Sequence, residues 1–275
     1  MIDASHFSKD LKNISAKATT LSGEETAFVI PELEPEELIP QHQKQSDALS
    51  APTTTPVWID AAPEDKYRTL FRGPLAANDA LALKLPDHTS VTTVLTGLND
   101  SPDIQALLFQ NSSLGDSDIA TIANTLKSNS SVKHLILSNN HITNQGANAI
   151  AEMLAANRII GWLVLDKNKI EGAGAKTIAQ SLQTHPGVKH VILSGNPIGN
   201  DGTTALAAIL PTNHTVESFF LRNTNTSDAG AIALLNEIKK GTSLSILDLR
   251  DNPISPEIKA KLQSACKDAG IRVYS

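Results

Sequence analysis

Only a few residues in this sequence have the type or spacing that chemistry needs. Residues 172–177, Gly-Ala-Gly-Ala-Lys-Thr, come closest to a phosphate-binding loop. That loop needs Gly directly before Lys so that backbone N–H groups can cradle phosphate, and Ala175 stands there instead. None of the eight histidines lies in a His-Glu-x-x-His motif or beside a cysteine pair, which are common zinc-binding patterns. We therefore expect no metal ion and no cofactor.

A nucleophile is equally hard to find in the sequence. Cys266 is the single cysteine, and it falls at a position that is apolar in the repeat described below, so we expect a buried thiol with no activating base. No Gly-x-Ser-x-Gly motif offers a serine nucleophile. We expect no enzymatic activity and assign no catalytic residue.

The elements that position these residues follow a 28-residue period. Beginning at Val132, the pattern Leu135, Leu137, Asn140 is followed by Ile142 and a helical stretch. In the next copy the same positions hold Leu163, Leu165, Asn168 and Ile170. Six copies run without insertion or deletion from Ile104 into the C-terminal segment, so the chain is a repeat array.

Each copy predicts one strand and one helix. The LxxLxL pattern alternates with a period of two, which indicates a short strand with its leucines facing the core. Apolar residues three and four apart then indicate a helix, and its start carries capping residues such as Thr143, Ser227 and Ser255. Because one strand and one helix cannot bury their own apolar faces, the copies must stack on one another.

This pattern resembles the ribonuclease-inhibitor type of leucine-rich repeat in its 28-residue length, its LxxLxLxxN strand and its Ile-Ala-x-x-Leu helical half. The resemblance covers about residues 76 to 275. It implies an α/β fold, a right-handed solenoid with parallel strands inside and helices outside. Such scaffolds serve many different partners, so the resemblance by itself names no function.

The sequence divides into two regions. Residues 1–63 are acidic and rich in proline, which predicts a flexible arm. Residues 64–275 form the predicted repeat domain, with a degenerate first repeat at 76–103, six regular repeats from 104 and a C-terminal cap at about 267–275.

The concave strand face is the candidate binding surface. Along each strand motif the third, fifth and seventh residues point away from the core. The fifth position holds Leu108, Ile136, Val164, Ile192, Phe220 and Asp248. The third position includes His134, Trp162 and His190, and the seventh includes Asp166, Arg222 and Arg250. At about 4.8 Å per strand, the five apolar residues form a stripe about 19 Å long.

Three interpretations of the stripe stay open. A partner protein could bind there, since aromatic side chains beside a polar border are typical of protein interfaces. The chain's own N-terminal arm could instead contact and cover the stripe. The Ile and Val residues could also reflect strand propensity alone, although Trp162 and Phe220 are costly to leave in water.

Composition narrows the partner class further. A net charge of −6 and a pI near 5.7 provide no broad basic field, so we expect no nucleic-acid partner. No apolar run of about 18 residues exists, so we expect no membrane insertion. A lone cysteine and the lack of a secretory signal pattern in the first thirty residues favour a reducing, cytoplasmic location.

We therefore predict a non-catalytic scaffold whose partner is another protein. In overall style the chain also resembles leucine-rich-repeat effectors that intracellular bacterial pathogens inject into host cells, which would place it in the host cytoplasm. Two alternatives are a small-GTPase regulator similar to the Ran GTPase-activating proteins and a cytoskeletal cap similar to tropomodulin. Against these, the chain lacks the long acidic C-terminal tail of the former and convincing actin-binding amphipathic helices of the latter.

Overall fold

A computed structural model describes residues 80–82, 91–95, 98 and 104–275. The predicted arm, residues 1–63, and the start of the predicted repeat domain, residues 64–75, lie outside the described residues. Within the described part, strands and helices alternate along the chain, and the strands form one parallel sheet in chain order.

The strands of the sheet are short and evenly spaced. They are β1 (Ala80–Ala82), β2 (Ala106–Leu108), β3 (His134–Ile136), β4 (Trp162–Val164), β5 (His190–Ile192), β6 (Ser218–Phe220), β7 (Ile246–Asp248) and β8 (Arg272–Tyr274). The helices between them are α1 (Val91–Leu95), α2 (Asp116–Leu126), α3 (Asn144–Ala156), α4 (Gly172–Leu182), α5 (Gly199–Ala208), α6 (Asp228–Ile238) and α7 (Pro256–Asp268). The predicted α/β solenoid of parallel strands and helices is confirmed.

The register follows the 28-residue period. From β2 to β7 each residue pairs with the residue 28 positions later, as Leu135 pairs with Leu163. At the first pair Leu81 lies opposite Leu107, 26 positions away, so the degenerate copy is shifted by two residues. The strands end one residue earlier than the sequence predicts. The following residue still bonds across the sheet, as the Leu137 N–H does to the Val164 carbonyl at 2.8 Å.

The main core lies between the sheet and the helices. The inward leucines Leu135, Leu137, Leu163 and Leu165 are all fully buried. Cys266 lies in the same core at the C-terminal end and is also fully buried. No helix in the described part of the chain is both long enough and apolar enough to cross a bilayer.

An asparagine ladder closes the turns after β3, β4, β5 and β7. The Asn168 Nδ2 group donates to the carbonyls of Leu137 and Leu165, each at 2.9 Å. Its Oδ1 accepts the N–H groups of Asn140 and Ile142 at 3.2 and 3.1 Å. One amide thus bonds backbone in its own repeat and in the preceding one. The same arrangement recurs at Asn140, Asn196 and Asn252.

A second ladder follows the helices, at the opposite end of the repeat. The Asn157 Oδ1 accepts the Ile160 N–H at 3.1 Å, while its Nδ2 donates to the Leu126 carbonyl at 2.8 Å. His185 occupies the equivalent position one repeat later, and its Nδ1 accepts the Val188 N–H at 3.1 Å. Its Nε2 therefore carries the proton that bonds the Asn157 carbonyl at 2.8 Å. Burial lowers the pKa of His185, which keeps this neutral form.

Helix starts are capped across repeats as well as within them. The Asp116 carboxylate accepts the N–H groups of Thr143 and Gly146 in the next repeat, at 2.8 and 2.9 Å. Asn144 and Asn200 do the same for the repeats that follow them. Because the free N–H groups of a helix start need acceptors, these side chains fix how adjacent helices stack.

We expect a central core defect to destabilise the solenoid more than a terminal one. Leu165 and Leu262 are both fully buried, but only Leu165 lies between two complete repeats. Leu165→Ala should lower the free energy of unfolding by about 2–5 kcal/mol through cavity formation, and Leu262→Ala by less. Urea unfolding of both variants measures the difference. Equal losses would contradict the nearest-neighbour account of stability.

Candidate functional site

The parallel register brings the predicted concave residues together. On β3, β4 and β5 the third-position residues His134, Trp162 and His190 lie directly opposite one another. The fifth-position residues align in the same way from Leu108 on β2 to Asp248 on β7. The predicted concave residues therefore form neighbouring rows on one sheet, as the 28-residue period of the sequence predicts.

The centre of this surface is a stack of three rings. The Trp162 ring centroid lies 3.9 Å from that of His190 and 6.2 Å from that of His134. His190 Nδ1 also lies 3.1 Å from the Ser218 hydroxyl on β6. Trp162 is half-buried, so part of the indole still contacts solvent. A large ring held by ordered neighbours is a suitable anchor for an interface.

The apolar stripe forms a second cluster, separate from the main core. We call it the concave cluster, and it consists of Ala106, Leu108, Ile136, Val164, Ile192 and Phe220, with Trp162 and Ile246 packed against it. Its six members are between 0 and 9% exposed. Phe220 is 7% exposed, so it lies deeper than an anchor waiting in solvent would.

The charged border of the surface is already paired within the chain. Arg250 donates to the Asp248 carboxylate from Nε at 2.9 Å and from Nη2 at 2.6 Å, and this hydrogen bonding raises the pKa of Arg250. Arg222 is paired with Asp251 in the next turn. The Asp166 carboxylate accepts the Ser138 hydroxyl at 2.5 Å. The two arginines at this border are therefore neutralised by carboxylates of the chain itself.

One recurring backbone feature places Asp251 beside Arg222, and sequence reasoning missed it. The residue just before each ladder position has a left-handed conformation, with φ of 54° at Asn139, 55° at Lys167 and 57° at Asp251. Asn, Asp and Gly tolerate this conformation best, and Lys167 adopts it at a cost. The signal that could have found it is the polar residue before the ladder position in each copy.

Burial holds both concave histidines neutral. The pKa of His134 falls from 6.5 to about 4, chiefly because burial disfavours the charged ring and further because Lys133 and His190 lie nearby. The pKa of His190 also falls to about 4 through burial, with Glu217 opposing the shift and Lys189 adding to it. The ring stack is therefore uncharged at pH 7.

The residues that first suggested chemistry do not form a reactive site. Residues 172–177 are the first turns of α4, and a Cβ at Gly174 would come within 2.9 Å of the Ala147 side chain in the neighbouring helix. This glycine therefore serves helix packing. Burial raises the pKa of Cys266 to about 11, which keeps it a thiol. Within the described residues no group of His, Cys, Asp and Glu could hold a metal ion.

Comparison with known proteins finds a leucine-rich-repeat match in two parts of the chain. The family described as Leucine Rich repeat matches residues 128–151 and 187–207, which include β3 and β5. No curated protein matches the chain. With the parallel sheet and its outer helices already described, the fold is a leucine-rich-repeat solenoid.

Several solved structures are similar to this chain. Leiomodin-1 actin-binding site 2 is 23% identical, with a TM-score of 0.48 over 53% of this chain and 86% of that one. The tropomodulin C-terminal domain of Caenorhabditis elegans is 11% identical, with a TM-score of 0.48 over 55% and 93%. An internalin of Listeria monocytogenes is 16% identical, with a TM-score of 0.38 over 67% and 50%. At this level of similarity these structures say nothing about what this chain binds.

The two buried histidines should make stability depend on pH. The unfolded chain takes up protons at these rings near pH 6.5, whereas the folded chain does so only near pH 4. Their contribution to stability is therefore complete above about pH 6.5 and is lost as the pH falls towards 4.

Denaturant unfolding at pH 7 and pH 5 measures this effect. The variant His134→Gln/His190→Gln should lose less stability between these two pH values than the wild type. His214→Gln, at an exposed loop position, serves as the control and should behave like the wild type. An equal loss in all three proteins would show that the concave rings are not the titrating groups.

Proposed function

We propose that this chain is a non-catalytic scaffold that binds another protein through its concave strand face. The observation that carries the proposal is the His134–Trp162–His190 stack, which a rigid parallel sheet aligns beside the concave cluster. Interfaces concentrate their energy in a few aromatic and Arg side chains at the centre of a packed patch. Trp162 has that position here.

The shape and charge of the surface favour a protein over smaller ligands. The apolar and ring side chains spread over adjacent strands from β2 to β7, and such a breadth suits a polypeptide. Two arginines on this face, Arg222 and Arg250, already hold carboxylates, so little free positive charge is left for phosphates. A partner with an apolar segment and few charges at its centre fits this surface best.

The proposal extends to chemistry and location. The inert thiol of Cys266, the one cysteine in the sequence, suits a scaffold in a reducing, cytoplasmic compartment. If the chain is an injected effector of the kind that its sequence resembles, that compartment is the host cytoplasm.

A matched pair of variants tests the surface. Trp162→Ala removes the anchor on the concave face, and Ile232→Ala removes an exposed apolar side chain from α6 on the outer face. We expect Trp162→Ala to weaken partner affinity about 30-fold, since losing an anchor costs about 2 kcal/mol and 1.4 kcal/mol corresponds to tenfold. Ile232→Ala should leave the affinity unchanged.

The measurement begins with affinity capture on the three proteins, followed by titration of the captured partner. Urea unfolding shows whether each variant is folded. If Trp162→Ala binds as tightly as the wild type while Ile232→Ala does not, the outer helical face is the binding surface and the proposal is wrong.

A further inference from the structure

We propose that His185 makes one loop of the solenoid sensitive to acid: when its ring gains a second proton, the loop at residues 183–189 between α4 and β5 opens, while the neighbouring loops stay closed. The inference concerns the chain by itself and does not require that the concave face bind a partner.

The loops after α2, α3 and α5 are each closed by one asparagine that accepts two backbone N–H groups. Asn157 accepts those of Ile159 and Ile160, at 2.9 and 3.1 Å. Asn129 and Asn213 do the same in their own loops. A side-chain amide keeps its protons in mild acid, so its oxygen stays an acceptor there. These loops therefore have no reason to open as the pH falls.

The loop after α4 is closed by an imidazole ring instead. His185 Nδ1 accepts the N–H groups of Gly187 and Val188, each at 3.1 Å, and Nε2 bonds the Asn157 carbonyl at 2.8 Å. Nδ1 can accept only while the ring is neutral, because the charged imidazolium donates from both nitrogens. Protonation would therefore turn the acceptor into a third N–H donor and break both bonds that close the loop.

The closed loop has little room to adjust around a charged ring. A Cβ at Gly187 would come within 2.9 Å of the carbonyl oxygens of Arg158 and Ile160, so the loop already lies against the backbone of the preceding repeat. His185 is 3% exposed, so water cannot replace the lost bonds unless the loop moves away. Protonation of the ring and opening of the loop are therefore coupled.

The surroundings of the ring disfavour its charged form in the closed loop. Burial lowers the pKa of His185 from 6.5, the bond to the Asn157 backbone opposes this, and Arg158 in the preceding loop lowers the pKa further. Lys189, at the end of the loop, bonds Glu217 at 2.8 Å. An open loop restores the ordinary pKa of the ring. The closed loop is therefore fully stable above about pH 6.5 and loses stability as the pH falls below that value.

The following loop and α4 present neutral groups to the ring. Asn213 and Thr215 bond backbone carbonyls of α4 and of His185, at 2.7 and 3.0 Å. His214 between them is exposed, and the charged residue of α4, Lys176, lies in the first half of that helix. The bonds of the imidazole itself therefore decide when the loop opens.

The loop leads directly into the concave face. The N–H groups of Lys189 and His190 bond the Gly161 carbonyl at 2.8 and 3.2 Å, and the His190 ring stacks on that of Trp162. Because the loop positions the start of β5, its opening would remove support from one side of the ring stack. Acid would thus loosen the concave face at this loop while the neighbouring repeats stay folded.

Amide hydrogen exchange of the full-length chain, followed by NMR, tests the inference. The protection factors of the Gly187 and Val188 N–H groups, which correct for the pH dependence of exchange itself, are compared at pH 7 and pH 5. The Ile160 and Val216 N–H groups, which asparagines hold in the neighbouring loops, are internal controls. The matched variant is His185→Asn, which has the residue of those loops.

We expect wild-type protection at Gly187 and Val188 to fall about tenfold or more between pH 7 and pH 5, because an opening that takes up one proton gains about tenfold per pH unit below 6.5. Protection at Ile160 and Val216 should fall less. In His185→Asn all four amides should respond to pH in the same way.

A second measurement covers the case in which His185→Asn does not fold, as judged by circular dichroism at pH 7. The imidazole nitrogen chemical shifts of wild-type His185 report when the ring gains its proton. Protection at Gly187 and Val188 should fall over that same pH range, and a fall in a different range would contradict the inference.

Three further results would overturn it. Unchanged protection at Gly187 and Val188 in the wild type would show that the loop stays closed in acid. Equal falls in the wild type and His185→Asn would assign the effect to another group. Equal falls at all four wild-type amides would show that the solenoid unfolds as a whole. No partner takes part in these measurements, so their failure is distinguishable from failure of the proposed function.

Discussion

The structure depends on one interaction that recurs every 28 residues, in which a buried asparagine amide bonds the backbone of two successive repeats. After each strand the chain must turn inside the protein, where water cannot satisfy its N–H and carbonyl groups. An unpaired buried group costs about 1–3 kcal/mol, so a turn of this kind needs a side chain that both donates and accepts. The Asn168 amide does this with its Oδ1 on one repeat and its Nδ2 bridging both.

The ladder explains why the concave face is ordered. Because each amide fixes the ends of two neighbouring strands, the strands cannot slip relative to one another, and the third and fifth positions stay opposite across the sheet. The ring stack and the concave cluster are consequences of that register. Among the regular repeats the ladder position lacks an asparagine at Ser112 and at Thr224, and the Thr224 hydroxyl donates to the Leu221 carbonyl and contacts the Thr226 hydroxyl. At this turn the hydroxyls of Thr224 and Thr226 replace the asparagine amide.

Much of this architecture could be predicted from the sequence, because the same strand and helix pattern recurs at a fixed spacing and each copy packs on the next in the same way. Leu135, Leu163 and their equivalents define the strands, and a fixed period leaves one way to pair them. The concave rows follow from alternation along each strand. The strands end one residue earlier than the pattern predicts, although the N–H of the next residue still bonds across the sheet.

Tertiary detail was harder to predict. The sequence gives no sign that Arg222 pairs with Asp251, because that contact depends on a left-handed turn residue. His185 occupies a position that asparagine holds in other copies of the second ladder. Its ring bonds the backbone on both sides, as the asparagine amide does, and the sequence alone does not indicate this. The burial of Ile136 was also beyond prediction, since alternation tells which face a side chain is on and not what lies above it.

Amide hydrogen exchange in an Asn168→Ala variant tests the central claim most directly. The ladder account predicts that the Asn140 and Ile142 N–H groups, which Asn168 accepts, exchange much faster than in the wild type. An Asn139→Gly control, which removes an exposed side-chain contact to Asn111 and tolerates the left-handed backbone there, should leave both amides protected. Unchanged protection of Asn140 and Ile142 in Asn168→Ala would show that backbone pairing alone holds the repeats in register, and it would contradict the account.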